Sequence, residues 1–166
     1  IVKELLAQKV EHIKAIDITR DDHLGVIADG EARGVVEFVK CDVSDEGQAL
    51  AALAGVDVVF HTVSFFGSPA FASKEYVLPR QRQLMLSVNV DGTRHLLEAA
   101  TKQGARAFVF TSTAAVACGA NRDMDFVGED VDVPEEEYSD LYTVVKRRAE
   151  TLVKGYDGAC GGGPPR

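Results

Sequence analysis

Apolar residues recur along this chain in two rhythms. Short runs rich in β-branched and aromatic residues read as strands: Ile13 to Ile18, Val35 to Val39, Val56 to Phe60 and Arg106 to Phe110. Between them lie segments with helical spacing. Residues 1–9 repeat apolar side chains at 1, 2, 5 and 6. Asp45 to Ala54 is rich in Ala and Leu and is stopped by Gly55. From about Arg80 to Gln103, the residues Leu84, Val88, Gly92, Leu96 and Ala99 fall on one stripe, with Gly104 as the stop. From about Ser139 to Lys154, Leu141, Val145 and Leu152 share one face. Strands alternating with helices predict an α/β fold with a parallel sheet covered on both sides. Right-handed crossovers make it doubly wound and Rossmann-like.

Ligands of such sheets bind beyond the carboxyl ends of the strands. Four strand ends are therefore expected to converge on one crevice: Asp17, Cys41-Asp42-Val43, His61-Thr62-Val63-Ser64 and Thr111-Ser112-Thr113. A carboxylate at Asp17 can accept from both ribose hydroxyls of an adenosine and repels a 2′-phosphate, which favours NAD over NADP. Taken alone, Asp17 reads as a solvated loop acid, and Arg20 nearby leaves room for a phosphate. Asp42 can accept from an adenine amino group with Val43 against the ring. It can equally cap the next helix, with Ser44 and Asp45 as rival caps. The hydroxyls of Thr111, Ser112 and Thr113 can hold a substrate oxygen or stitch the turn.

The sharpest feature is Tyr142-Thr143-Val144-Val145-Lys146. On a helix, positions i and i+4 share a face, about 6 Å apart along the axis. A tyrosine phenol ordinarily ionises near pH 10, too high for a base near neutrality. A fixed ammonium beside it stabilises the phenolate, and the same lysine can hold a cofactor ribose. A Tyr-x-x-x-Lys alone is common on ordinary amphipathic helices. This one follows the hydroxyl-bearing strand end by about 30 residues and opens a helix after an irregular loop.

Composition narrows the picture. The chain has 166 residues, of which 46% are hydrophobic, enough for one domain with a core and too apolar for a disordered chain. Its net charge of −8 and lack of a basic block argue against nucleic-acid partners. No apolar run approaches the roughly 20 residues of a membrane helix. Cys41, Cys118 and Cys160 are widely spaced, which reads as reduced thiols in an intracellular, cytoplasmic protein. No Cys or His pair has metal-ligand spacing, so no metal is expected. Residues 158–166, ending Gly161-Gly162-Gly163-Pro164-Pro165-Arg166, read as a flexible tail after a domain at 1–157.

Taken in order, these pieces resemble the extended short-chain dehydrogenase/reductase family over nearly all of residues 1–157. The matching stretches are Asp17 after a strand, Cys41-Asp42-Val43, His61 to Ser64, Asn89-Val90-Asp91-Gly92-Thr93, Phe110 to Val116, and Tyr142 with Lys146. The resemblance implies Tyr142 as acid/base, with Lys146 binding the nicotinamide ribose and tuning the tyrosine. It implies Thr113, then Ser112, as the residue orienting the substrate oxygen. NAD would be held by Asp17, Asp42, Val43, Thr62, Val63, Ser64, Asn89, Thr111, Tyr142 and Lys146. Asn89 would tie backbone groups of neighbouring strands, and Gly92 and Thr93 would let the long helix pack closely.

Within the family, the chain is most similar to the 3β-hydroxysteroid dehydrogenase branch, especially the sterol-4α-carboxylate 3-dehydrogenases. That similarity rests on Thr111 to Val116, Gly128-Glu129-Asp130 and Tyr138 to Lys146. It implies oxidation of a sterol 3β-hydroxyl by NAD, with a homodimer and association with the endoplasmic reticulum allowed for the full-length parent. The family's first strand with its GxxGxxG loop, and its C-terminal substrate region, are not in the sequence. The 166 residues are therefore expected to be a fragment that binds NAD weakly and does not turn over. Two rivals remain: a nucleotide-sugar epimerase, dehydratase or other carbonyl reductase of this fold, and a non-catalytic nucleotide-sensing module. Phe65-Phe66 with Pro69 and Phe71 can line a steroid site or pack in the core. His61 reads as a histidine satisfied by backbone.

Overall fold

A computed structural model describes residues 1–67, 77–118, 128 and 131–156. The Pro69, Phe71, Glu129, Asp130 and Cys160 positions and the 158–166 tail lie outside the described residues. The described residues form four strands in two parallel pairs: β1 (Ile13–Asp17), β2 (Val36–Lys40), β3 (Val58–His61) and β4 (Ala107–Phe110). β1 pairs with β2 from Ile13 opposite Val36 to Asp17 opposite Lys40. β3 pairs with β4 from Val58 opposite Ala107 to His61 opposite Phe110. These are two separate two-stranded ladders. A doubly wound sheet has the strand order 3-2-1-4-5, and leaving out its central position yields the pairs 3-2 and 4-5. The observed pairing is that arrangement, with no strand at the central position among the described residues.

Among the described residues six α-helices accompany the strands: α1 (Val2–Ala7), α2 (Val26–Ala32), α3 (Glu46–Ala52), α4 (Pro79–Leu86), α5 (Gly92–Gln103) and α6 (Leu141–Tyr156). α2 is the one helix that the spacing of apolar residues does not foretell. It holds a glycine and two acids, and its capping is supplied from outside: Asp22 accepts from the N–H groups of Ile27 and Ala28 at 3.1 and 2.7 Å. α3 begins at Asp45, whose carboxylate accepts from Gln48 N–H at 2.9 Å, so Asp45 rather than Asp42 or Ser44 is the N-cap.

The long helix foreseen between 80 and 103 is interrupted by a π-turn at Ser87–Asp91. The buried line runs through Met85, Asn89, Thr93 and Leu97, all at most 4% exposed, while Leu84 is 44% exposed. Leu84 therefore leaves the expected stripe, which had counted apolar residues only. Two of the four buried positions are polar, and they are tolerated because their hydrogen bonds close inside the protein. Gly92, Leu96 and Ala99 are buried as expected. A Cβ at Gly92 would lie 2.7 Å from Val43 Cγ2, so glycine is required for α5 to approach the segment after β2 this closely. α5 ends at Gly104, with φ of 73°, as the stop signal implied.

Two apolar clusters hold these elements. One joins Cys41, Val43, Ala49, Leu53, Val59 and Leu96 between the strands and the α3–α5 layer. The other packs Met85, Val133, Tyr138, Leu141, Val144 and Val145 around the start of α6. Burying each larger aliphatic side chain contributes about 1.5–3 kcal/mol. α6 starts where it does because Asp140 accepts from the Thr143 N–H and hydroxyl, both at 2.7 Å. Tyr138, 2% exposed, donates to Val116 O at 2.7 Å and fixes the approach to α6 against the segment after β4. Among the described residues, no helix is long and apolar enough to cross a membrane. Nor does any cluster of three or more His, Cys, Asp or Glu side chains there offer a metal site.

Candidate active site

The ends of β3 and β4 meet the first turns of α6. Lys146 is buried at 3% exposure and donates to Thr111 O at 2.5 Å. Its ammonium also lies 4.3 Å from the centroid of the Phe110 ring. Burial pushes its pKa below the usual lysine value, and Glu150 one turn further along α6 works in the opposite direction. Tyr142 lies one turn before Lys146 on the same helix, half-buried. Its ring packs on Phe66 with centroids 4.7 Å apart, and its hydroxyl is 3.4 Å from Ser64 Oγ.

Ser64 is held from below. Asn89 Oδ1 accepts from Ser64 Oγ at 3.1 Å and from Phe65 N–H at 2.9 Å. Asn89 Nδ2 donates to Phe65 O at 2.8 Å and to Met85 O at 2.9 Å. Thr93 donates its hydroxyl hydrogen to Asn89 O at 2.7 Å. That hydroxyl has one hydrogen, so its 2.8 Å contact with His61 Nε2 has the imidazole donating. His61 is thus a neutral Nε2–H tautomer. It is satisfied by a side chain rather than by backbone, and its buried Nδ1 has no partner among the described residues. Burial, and secondarily the Lys146 charge, lower its pKa to about 4.

The three strand-end hydroxyls are not equivalent. Ser112 donates to Glu150 Oε2 at 2.6 Å and so is tied to α6. Thr113 Oγ1 accepts from Ala115 N–H at 3.3 Å at the start of a 3₁₀ turn, leaving its own hydrogen available. Thr111 faces solvent with its side chain, and its carbonyl holds Lys146. Thr62 is exposed, and Val63 packs against the first core cluster.

The other strand ends lie at the β1–β2 pair. Asp17 is exposed and accepts from Thr19 N–H at 3.2 Å. Asp42 accepts from the Ser44 N–H and hydroxyl at 2.9 and 2.7 Å. The Val43 side chain is buried beside Gly92, and its carbonyl is 3.0 Å from His95 Nδ1. Hydrogen bonds join Ser64 to Asn89 and Tyr142, Lys146 to the Thr111 carbonyl, and Ser112 to Glu150, and α6 carries Tyr142, Lys146 and Glu150 at successive i+4 steps. The Asp17 and Asp42 carboxylates accept instead from residues two positions further along the chain, Thr19 and Ser44. Glu150, Phe110 and the hydroxyl of Thr93 are the contributors the sequence reading missed. Glu150 repeats the i+4 step from Tyr142 and Lys146, and that spacing could have marked it.

Parallel strand pairs, helices on both sides and a Tyr–Lys pair facing a hydroxyl-bearing strand end define a Rossmann-type fold of the extended short-chain dehydrogenase/reductase class. More narrowly, residues 1–162 match the 3-beta hydroxysteroid dehydrogenase/isomerase family, and the chain belongs to it. It is 34% identical over 127 residues to the 3 beta-hydroxysteroid dehydrogenase/Delta 5-->4-isomerase of Mycobacterium tuberculosis, covering 76% of this chain and 33% of that protein. It is 26% identical over 147 residues to the 3beta-hydroxysteroid-dehydrogenase/decarboxylase isoform 2 of Arabidopsis thaliana, covering 89% of this chain and 24% of that one. Among solved structures, an NAD-bound short-chain dehydrogenase/reductase superfamily protein from Agrobacterium tumefaciens superposes with a TM-score of 0.64 at 27% identity, over 87% of this chain and 45% of that one. The chain thus spans about a third or less of the length of these two curated relatives.

Proposed function

We propose that these residues carry the proton-transfer half and the two ribose contacts of an NAD-dependent dehydrogenase acting on a steroid or sterol 3β-hydroxyl. The observation that carries the reading is the buried Lys146 ammonium, bonded to Thr111 O one helical turn from Tyr142. Residues at both ends fit the dinucleotide. Asp17 offers an exposed carboxylate with no cation paired to it among the described residues. Lys146 has N–H bonds beyond the one given to Thr111. Asp42, Val43, Thr62 and Val63 complete the proposed cofactor wall.

When bound, NAD supplies the acceptor for the hydride leaving C3. Tyr142 takes the proton of the 3β-hydroxyl as the carbon becomes a ketone. The Lys146 ammonium stabilises the phenolate form of Tyr142 that accepts this proton, and it would donate to the nicotinamide ribose. Thr113 donates its free hydrogen to the substrate oxygen, a role for which Ser112 is less suited because Glu150 holds it. Asn89 holds Ser64 beside the Tyr142 hydroxyl. On a substrate carrying a 4α-carboxylate, the new 3-ketone lies β to that carboxylate. Carbon dioxide can then leave to an enolate the ketone stabilises, with no further residue required. The similarity to a plant dehydrogenase/decarboxylase supports this branch.

The test is Tyr142→Phe in the complete protein. Oxidation of a 3β-hydroxysteroid, followed by NADH absorbance, should fall by about 10²–10⁴-fold. Unchanged turnover defeats the reading. Release of carbon dioxide from a 4α-carboxysterol, and its absence with a plain 3β-hydroxysteroid, separates the decarboxylating branch from simple oxidation.

A further inference from the structure

Two cations stand near the β1 strand end. Lys40 is the register partner of Asp17, and Arg20 follows Asp17 by three positions. An arginine in this place is what a 2′-phosphate on the adenosine ribose would use, because a guanidinium matches phosphate oxygens in a fork. Here the fork is already engaged. Arg20 Nη2 donates to Glu31 Oε2 at 2.6 Å, and the guanidinium carbon lies 5.9 Å from the Phe38 ring centroid. Glu31 is itself anchored, since its Oε1 accepts from Phe38 N–H on β2 at 3.4 Å. α2, which carries Glu31, is fixed in turn by Asp22 at its start.

We infer that Glu31 is a cofactor-specificity residue: it draws Arg20 onto the face of β2, away from the Asp17 carboxylate, and so disfavours a 2′-phosphorylated nucleotide. The inference rests on the proposal that the β1 end receives the adenosine ribose. Glu31 touches no part of the nucleotide and acts only by positioning Arg20. Both ends of the ion pair are partly exposed, with side chains 44% and 31% accessible. Solvent weakens such a pair, so its release changes discrimination several-fold rather than by orders of magnitude. Lys40 is common to every variant below and cancels in a ratio.

The experiment titrates the complete protein with 5′-AMP and with adenosine 2′,5′-bisphosphate, which differ only in the 2′-phosphate, and follows amide chemical shifts. The unsubstituted complete protein should bind the bisphosphate more weakly than 5′-AMP. Glu31→Gln, which keeps an oxygen for Phe38 N–H, should narrow that gap about threefold or more, and Glu31→Ala should do the same. Adding Arg20→Ala to either variant should restore the native gap, a result that a general loosening of α2 would not produce. A gap unmoved by Glu31→Gln, or still narrowed without Arg20, overturns the inference and leaves the adenosine site standing. Absence of 5′-AMP binding to the folded, complete protein overturns the adenosine site itself, and the inference with it.

Discussion

The β3–β4 end and the β1–β2 end of this protein are built from the same parallel pairing but are held in opposite ways. At the β3–β4 end, His61, Asn89, Thr93 and Lys146 are polar and all at most 3% exposed. Their bonds run from strand to helix to loop, and His61 Nδ1 alone of their buried polar atoms has no partner among the described residues. At the β1–β2 end, Asp17, Arg20 and Glu31 sit at the surface, each with short-range or solvent-screened partners. Buried polar groups fix geometry strictly because leaving any one unpaired is costly. Surface groups fix it loosely and can be exchanged. Proton transfer needs the first kind of construction, and choice between related nucleotides can be set by the second.

Four measurements can break or sharpen that contrast. The largest effect belongs to Asn89→Leu, which removes the side-chain partner of Phe65 N–H, Phe65 O and Met85 O where the loop after β3 meets the buried π-turn. Chemical denaturation should show a loss of about 3–5 kcal/mol, and a loss below 1 kcal/mol would mean that the network is not what holds this end.

Next comes pH. The folded protein keeps His61 neutral down to about pH 4, whereas the unfolded chain protonates it near an ordinary 6.5. The unfolded state therefore binds more protons between these values. The associated stability, about 3 kcal/mol, is complete above pH 6.5 and is lost as pH falls toward 4. Urea midpoints at pH 7 and 4.5 should separate for the native chain, and the separation should shrink in His61→Gln. Equal slopes in the two proteins would remove His61 from the account.

Gly92→Ala should cost about 1–3 kcal/mol by pushing a methyl against Val43. Combining it with Val43→Ala should cost less than the two changes summed. The smallest effect is expected at the exposed end, where Glu31→Gln should shift stability by less than about 1 kcal/mol. A larger loss there would erase the distinction between the two ends.

Much of this was legible in the sequence, for physical reasons that differ by element. Strand runs and the α5 and α6 faces announce themselves because packing demands apolar residues at fixed spacing, as Leu96, Ala99, Leu141 and Val145 do. Gly104 and Asp45 announce helix ends through backbone chemistry. α2 was illegible because its capping comes from Asp22, outside the helix, and no apolar stripe marks it. The π-turn was illegible because its buried line includes Asn89 and Thr93, which a hydrophobicity pattern counts as surface. Tyr142 and Lys146 could be picked out by spacing and by position after β4. The difference between Ser112 and Thr113 could not, since it depends on where Glu150 reaches across from another element.

The carboxamide of Asn89 has one more consequence. It presents to Phe65 a carbonyl oxygen and an N–H, the same two groups that a residue of an adjacent strand would present. The side chain works as a detached peptide unit and adds one rung beyond the last residue of β3. A segment without regular structure is thereby registered to its neighbour as strictly as if the sheet continued. Aspartate in its place would keep the acceptor and lose the donor, leaving half a rung. The sheet ends at His61 in its strand geometry, but its hydrogen-bonded order reaches Phe65, one residue past the serine that meets Tyr142.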